Sequence, residues 1–220
     1  MSAGIFTAVP VKDLMNAKQR LIPALEPAER HDLAAAMLED VLDALGATDG
    51  LDVHLITRDP DILALAWRRG VPCLTESANR GHTEAVAFAQ AEAARRGAHV
   101  FLTIPGDVPC TTPAELLALV ATGGAPGVTF VPSRSGLGTN AAFLSPVDIM
   151  PLKFGEPSFA NHLDAARARG LTPRVLTLAG VGLDVDAPED LRLLIAHGAS
   201  TRAGRLCRAR GLAERLPASR

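Results

Sequence analysis

The sequence predicts an α/β fold in which a single domain has a mostly parallel central sheet flanked by helices. Short apolar runs of strand length alternate with longer segments of helical periodicity, which is the pattern of a parallel sheet with both faces covered. The 220 residues suit one sizeable domain with its own core. No internal repeat, low-complexity linker or shift in composition divides the chain.

The predicted strands are apolar runs bounded by turn residues. The first, Ile5 to Pro10, is almost wholly apolar, as expected for a strand buried on both faces. The full set of predicted strands is 5–10, 51–57, 71–74, 99–104, 127–132, 139–144 and 173–178.

The predicted helices begin at recognisable start signals. Pro27 suits the first position of a helix that Gly46 ends, and the pairs Asp59-Pro60 and Thr112-Pro113 each combine a capping side chain with a proline. The predicted helices are therefore about 27–45, 60–69, 81–96, 113–120, 158–169 and 188–197.

Composition excludes several classes of protein. Apolar residues make up 48% and charged residues 21%, and the net charge of −2 argues against a nucleic-acid partner. No apolar run approaches the roughly 20 residues of a membrane helix. The first residues lack the features of a signal peptide, so we expect a cytoplasmic protein without a membrane partner. The three cysteines have no metal-ligand spacing and are expected to be reduced thiols.

Charge is unevenly distributed along the chain. Residues 198–220 contain six arginines and one glutamate, which leaves residues 1–197 acidic. We therefore predict a main domain over 1–197 and a basic C-terminal tail over 198–220. The composition of this tail is more typical of a loosely docked helix or a frayed end than of a partner site.

A basic loop follows the first strand. Lys12, Lys18 and Arg20 lie within a stretch of nine residues that follows this strand, so a buried strand would deliver three cations to one edge of the sheet. Such a loop could hold a triphosphate, because its cations offset charge and arginine supplies a planar donor fork. A solvated surface turn explains the same spacing equally well.

Acidic residues occur where two later strands end. Asp107 follows the predicted strand 99–104, at the edge where open α/β sheets bind ligands, although it could also cap the next turn. Asp184 and Asp186 alternate along an extended segment and would point to one side. For Asp186 a helix cap before Pro188 is the stronger interpretation. For Asp184 we favour the role of a metal ligand. Mg²⁺ takes one or two carboxylates plus substrate phosphates, so Asp107 and Asp184 would suffice.

These features together resemble the nucleotidyltransferases of the nucleotide-diphospho-sugar transferase fold. Three further motifs resemble the guanylyltransferase family that activates a small phospho-acid for coenzyme F(420) biosynthesis, over residues 5 to about 195. The motifs are Val9-Pro10-Val11-Lys12 with Ala17-Lys18-Gln19-Arg20-Leu21, then Gly138-Thr139-Asn140-Ala141, then Phe154-Gly155-Glu156-Pro157-Ser158-Phe159 with His162.

The resemblance implies a role for each matching residue. The nucleotide would be bound by Lys12, Lys18, Arg20, Asn79, Gly81 and Thr83. Mg²⁺ would be held by Asp107, Asp184 and Asp186, and catalysis would rest on Lys18, Arg20 and Asp107. The phospho-acid would be bound by Thr139, Gly155 and Ser158. Independently, Ser158 is a candidate helix cap at a natural anion site, although an ordinary cap is equally well supported. His82 is a candidate nucleotide contact, and His162 is interpreted as helix packing.

The resemblance also implies a reaction. GMP would pass from GTP to the phosphate of 2-phospho-L-lactate, phosphoenolpyruvate or 3-phospho-D-glycerate, with release of pyrophosphate. A molybdenum-cofactor-type or sugar-phosphate nucleotidyltransferase is the nearest alternative, and a non-catalytic nucleotide-binding module is another. The first loop is rich in lysine and not in glycine, which argues against the molybdenum-cofactor-type or sugar-phosphate nucleotidyltransferase. The oligomeric state stays open, with a homodimer as one candidate.

Overall fold

A central sheet organises the part of the chain that the computed structural model describes, which is residues 4–12, 14, 18–76, 78, 80–123 and 126–216. Within those residues the sheet has seven strands in the order β3-β2-β1-β4-β6-β5-β7. The strands are β1 Ile5–Pro10, β2 Leu51–Ile56, β3 Cys73–Leu74, β4 Phe101–Thr103, β5 Gly127–Pro132, β6 Thr139–Ser145 and β7 Arg174–Val175.

The sheet is mostly parallel, which confirms the predicted fold class. β1 pairs in parallel with β2 and β4, β2 with β3, and β5 with β7. β6 runs antiparallel between β4 and β5, because the short connection 133–138 turns the chain straight back. β3 and β7 are only two residues long, shorter than predicted, since each lies at an edge and pairs on one side.

Helices cover both faces of this sheet. Within the described residues they are α1 Pro27–Gly46, α2 Pro60–Arg69, α3 His82–Arg95, α4 Pro113–Thr122, α5 Ser158–Arg167, α6 Pro188–His197, α7 Arg202–Ala209 and α8 Leu212–Arg215. The predicted caps are present: Asp59 accepts the N–H groups of Asp61 and Ile62, and Thr112 accepts that of Glu115. None of the described helices is long and apolar enough to cross a membrane.

Alternation along the strands divides the core into two layers. Phe6 and Phe101 pack on the face that α3 and α5 cover, whereas Val9 and Leu102 pack on the face that α1 and α4 cover. All four side chains are at most 2% exposed. Burial on both faces explains why these strands are continuous apolar runs in the sequence.

The C-terminal segment is part of this packing. Ala203 and Cys207 of α7 are fully buried in the same cluster as α1, and Leu212 of α8 joins them. The composition favoured a loosely docked or frayed segment, but apolar residues at helical spacing on α7 and α8 bury a face against the core. A domain boundary at residue 197 stays a prediction.

Asp40 on α1 anchors the start of α7. Its carboxylate accepts the N–H groups of Arg202 at 2.7 Å and Ala203 at 2.9 Å. Burial raises the pKa of Asp40, although these two N–H groups act in the opposite direction. Both carboxylate oxygens of Asp40 therefore serve as acceptors for the start of α7.

We accordingly expect Asp40→Ala to lower the free energy of unfolding by about 1–2 kcal/mol, as for loss of a helix cap. Asp40→Asn keeps only one of the two acceptor oxygens and turns an amide donor towards the other N–H group, so it should cost at least half as much. Urea unfolding measures the loss in each variant. An Asp40→Asn variant as stable as the wild type would contradict this two-point contact.

Candidate active site

Three distant parts of the chain bring charged side chains together at the carboxyl edge of the parallel strands. Lys18 follows β1, Asp107 follows β4, and Asp186 precedes α6. The Lys18 Nζ lies 2.7 Å from Asp107 Oδ2 and 2.8 Å from Asp186 Oδ1. The edge predicted for ligand binding therefore holds a cation between two carboxylates.

Lys18 is buried at this position, with a side chain only 6% exposed. Burial by itself lowers the pKa of Lys18, but the charges of Asp107 and Asp186 outweigh it and raise the pKa above its ordinary value. Lys18 also has φ +57°, the one positive φ of a non-glycine residue among those the structure describes. Strained backbone of this kind persists where the surroundings demand it, often at functional sites.

Asp186 faces this lysine and not the helix that follows. Burial raises the pKa of Asp186, but Lys18 and Arg20 outweigh that effect and lower it overall. The cap residue of α6 is Ala187, and Asp190 accepts the N–H groups of Asp186 and Ala187 at 3.3 and 3.0 Å. The interpretation of Asp186 as a helix cap is therefore wrong, because Asp190 already supplies the capping carboxylate.

Asp184 lies beside the pair, held by a buried amide. Asn140 Nδ2 donates to Asp184 Oδ1 at 3.1 Å and to the Val181 carbonyl at 2.9 Å. Burial raises the pKa of Asp184, and the charges of Asp107 and Asp186 raise it further. Asn140 belongs to the motif Gly138-Thr139-Asn140-Ala141 but was not a predicted site residue, because a buried amide can be recognised as a support only from its partners.

The carboxylates of Asp107, Asp184 and Asp186 make up the predicted magnesium site. In the described part of the chain, no three or more histidine, cysteine or acidic side chains form a ready-made metal cage. Two carboxylate oxygens nevertheless already converge on one cationic nitrogen within 2.8 Å. This donor set fits Mg²⁺, which needs only one or two carboxylates when substrate phosphates complete its shell.

A cavity of about 310 Å³ opens between the ends of β1 and β2 and the start of α3, near enough to Asp107 for its charge to act on His82 in the lining. Lys12, Arg58, Glu76, Gly81 and His82 contribute to its lining. Gly81 has φ +103°, a conformation that favours glycine, and is the cap residue of α3. Burial is the main reason why the pKa of His82 falls to about 4, so this histidine is neutral near pH 7.

Two other residues predicted to bind the nucleotide, Arg20 and Thr83, are not among the described residues that line this cavity. Arg20 is exposed on a short 3₁₀ helix, Gln19–Leu21, from which its charge acts on Asp186. Thr83 Oγ1 accepts the N–H of Phe154 at 3.0 Å and donates to its carbonyl at 3.2 Å, so this hydroxyl joins α3 to the loop 151–157. Asn79 lies outside the described residues. Nucleotide binding by these three residues stays a prediction.

Two of the residues predicted for the phospho-acid come together at the same edge of the sheet, where β6 begins. Thr139 begins β6, Ser158 begins α5, and the N–H of Thr139 donates to Ser158 Oγ at 3.0 Å. The cap residue of α5 is Pro157, so Ser158 is not the helix cap, because its hydroxyl is turned towards β6. Gly155 has φ +108° in the loop before α5, a backbone conformation that favours glycine.

His162 was not predicted to belong to the site, yet it contacts these residues. Its Nδ1 lies 2.9 Å from Thr139 Oγ1, and its Nε2 lies 2.9 Å from the backbone nitrogen of Lys153. Its spacing from Ser158 on α5 was visible in the sequence, but periodicity alone could not distinguish packing from a polar contact.

Comparison with known proteins gives a consistent result in sequence. Residues 5–216 match the family described as Guanylyl transferase CofC like. Phosphoenolpyruvate guanylyltransferase of Sphaerobacter thermophilus is 42% identical over 190 residues, covering 86% of this chain and 91% of that protein. 2-Phospho-L-lactate guanylyltransferase of Methanothermobacter thermautotrophicus is 37% identical over 195 residues, covering 89% and 86%.

Solved structures share the fold at low sequence identity. A Desulfovibrio desulfuricans protein assigned to the nucleotide-diphospho-sugar transferases has a TM-score of 0.80 at 16% identity, with 100% of both chains covered. A nucleotidyl transferase from Methanothermobacter has a TM-score of 0.68 at 14% identity, covering 94% of this chain and 100% of its own. The predicted nucleotide-diphospho-sugar transferase fold is thereby confirmed.

Proposed function

The chain belongs to the guanylyl transferase CofC-like family of nucleotidyltransferases, and we propose from this that it transfers GMP from GTP to the phosphate of a three-carbon phospho-acid. Pyrophosphate is released in the reaction. The candidate acceptors are phosphoenolpyruvate, 2-phospho-L-lactate and 3-phospho-D-glycerate, of which two appear in the names of relatives. The proposed metabolic place is coenzyme F(420) biosynthesis.

The observation that carries this proposal is the buried Lys18 between Asp107 and Asp186. Lys12 lines the cavity at the ends of β1 and β2, and the hydroxyl groups of Thr139 and Ser158 lie 3.4 Å apart where β6 begins. An anionic nucleotide bound in the cavity and an acidic acceptor bound at the hydroxyl pair would bring the reacting groups towards Lys18. Positioning of this kind accounts for much of the catalysis of phosphoryl and nucleotidyl transfer.

The charged residues then have distinct roles in the mechanism. A phosphate oxygen of the acceptor attacks the α-phosphorus of GTP, an oxygen–phosphorus bond forms, and the bond to pyrophosphate breaks. That oxygen is ionised near neutral pH, so the chain does not need to supply a general base. Lys18 offers its ammonium to the charge that builds up during transfer, while Lys12 and Arg20 bind the phosphates.

Asp107 and Asp186 would hold Mg²⁺, with Asp184 beside them. When bound, Mg²⁺ would neutralise charge on the nucleotide phosphates. Asp184 is kept in place by Asn140, whose amide reaches it at 3.1 Å. A cytoplasmic location and a homodimer stay predictions.

Loss of the Asn140 amide should weaken this site. We expect Asn140→Ala to lower the affinity for Mn²⁺ in the presence of GTP by about 10- to 100-fold, as for other residues that orient a metal ligand. Titration followed by electron paramagnetic resonance measures free Mn²⁺ directly. Asn161→Ala, an exposed change on α5, is the control and should bind as the wild type does. Equal affinity in both variants would contradict the role given to Asn140.

The proposed function is tested by pyrophosphate release in the presence of Mg²⁺. Four nucleoside triphosphates are combined with the three phospho-acids and with several sugar phosphates. Release only with GTP and a phospho-acid supports the proposal. Release with a sugar phosphate indicates the sugar-nucleotide alternative, and no release with any pair indicates the non-catalytic nucleotide-binding module.

A further inference from the structure

His162 is a polar ring enclosed by aromatic side chains. It is only 1% exposed, its ring stacks on Phe130 at 5.3 Å, and Phe154 meets it edge-on at 5.1 Å. A buried imidazole needs a hydrogen-bond partner for each nitrogen. Both partners are present, and they belong to the segments that carry the predicted phospho-acid site.

The partners decide which nitrogen carries the proton. The Lys153 backbone N–H can only donate, so His162 Nε2 must accept and be unprotonated. The proton of the neutral ring is therefore on Nδ1, which donates to Thr139 Oγ1 at 2.9 Å. A ring protonated on Nε2 would direct one donor at another.

This tautomer has a consequence for the two hydroxyl groups. Ser158 Oγ accepts the N–H of Thr139 at 3.0 Å and lies 3.4 Å from Thr139 Oγ1. Thr139 and Ser158 together carry two hydroxyl protons. If one hydroxyl group donates its proton to the other, the second proton remains available. Because His162 donates to the pair and accepts nothing from it, that remaining proton is left for a ligand.

We propose that His162 is a positioning residue for the acceptor, holding the Thr139–Ser158 hydroxyl pair as a hydrogen-bond donor towards the carboxylate of the phospho-acid. Through Lys153 it also holds the loop 151–157, which carries Gly155. The inference rests on the proposed function, since the carboxylate belongs to the proposed acceptor. It assigns His162 a role beyond packing of α5.

Three variants separate this role from packing. His162→Phe keeps an aromatic ring but removes both hydrogen bonds. His162→Asn places an amide donor near the Nδ1 position, and His162→Gln places an acceptor near the Nε2 position. His54→Phe is the matched control, because His54 is also buried, at 2% exposure, and stacks on Phe6 at 4.2 Å outside the site.

We expect His162→Phe to raise the KM for the phospho-acid about tenfold or more while the KM for GTP changes less than about twofold, because the Thr139–Ser158 hydroxyl pair is no longer held as a donor to the acceptor. His162→Asn should recover most of the phospho-acid KM, and His162→Gln should not. His54→Phe should change neither KM. An unchanged phospho-acid KM in His162→Phe, or equal increases in both KM values, would overturn the proposal.

A second readout does not depend on activity. Nitrogen-15 NMR of the wild-type protein should show His162 Nδ1 protonated and Nε2 bare near neutral pH, and this pattern should persist on mild acidification, because burial lowers the pKa of His162 to about 4. A protonated Nε2 would overturn the proposal even if His162→Phe fails to fold.

If the active wild type accepts only phosphates without a carboxylate, the proposed function fails and the inference fails with it. An unchanged KM in an enzyme that uses a phospho-acid overturns the inference alone.

Discussion

Asp107→Asn is expected to lower the rate of guanylyl transfer at least about 10³-fold while the protein stays folded. The change removes one of the two charges that face Lys18 at 2.7 and 2.8 Å, and it replaces a carboxylate ligand with a weak amide ligand. Loss of a single electrostatic contact to a transition state commonly costs 10²- to 10³-fold, roughly, and loss of a metal ligand adds to it.

Pyrophosphate release at saturating substrates measures this effect. Asp148→Asn is the control, because Asp148 is exposed and follows β6, whose antiparallel direction places that end at the opposite edge of the sheet. The control should keep wild-type turnover. Substantial turnover in Asp107→Asn, at a tenth of the wild-type rate for example, would remove Asp107 from the machinery. Retained GTP binding without turnover separates lost catalysis from lost folding.

Lys18→Met is expected to have the second largest effect, lowering turnover about 10²- to 10³-fold through loss of the buried ammonium. Methionine is an unbranched side chain of similar length, so the change mainly removes the charge. Arg68→Met, at an exposed position on α2, is the control for loss of a cation and should leave turnover unchanged.

The same variant should change how stability depends on pH. Lys18 and Arg20 hold the pKa of Asp186 below 3.8, so the ionised Asp186 stabilises the wild type above that pH, and this contribution is lost as the pH falls through the lowered pKa. The pKa of Lys18 is raised above 10.5, so its contribution is complete below that pH and is lost only in strong alkali.

Lys18→Met lacks the stabilisation that comes from the charge of Lys18 and the stabilisation that this charge gives to ionised Asp186. We therefore expect it to be less stable than the wild type between about pH 5 and 10, with the difference shrinking in acid as Asp186 is protonated. Urea unfolding at neutral pH and below pH 3.8 measures both differences. A difference that is equal at the two pH values would show that Lys18 stabilises the fold by packing and not by its charge.

Much of the secondary structure was predictable because its signals are local. α1, α2 and α4 begin at the predicted residues, since proline and a capping side chain act within one turn of a helix. The strand β1 was predictable because a run of apolar residues needs no distant partner to be recognised. The antiparallel position of β6 between β4 and β5 was not predicted, because strand order depends on pairing between distant segments.

The sequence by itself determined the alternation of strands and helices, the edge of the sheet that carries the charged residues, and the motifs that identify the family. Only the tertiary structure decided which charges meet. Lys18 is separated from Asp107 by 89 residues and from Asp186 by 168, and local sequence favoured a cap for Asp186. The same holds for His162, whose partners Thr139 and Lys153 lie on other elements. Local patterns report the conformation of a segment, whereas pairing of charges and hydrogen bonds depends on three-dimensional proximity.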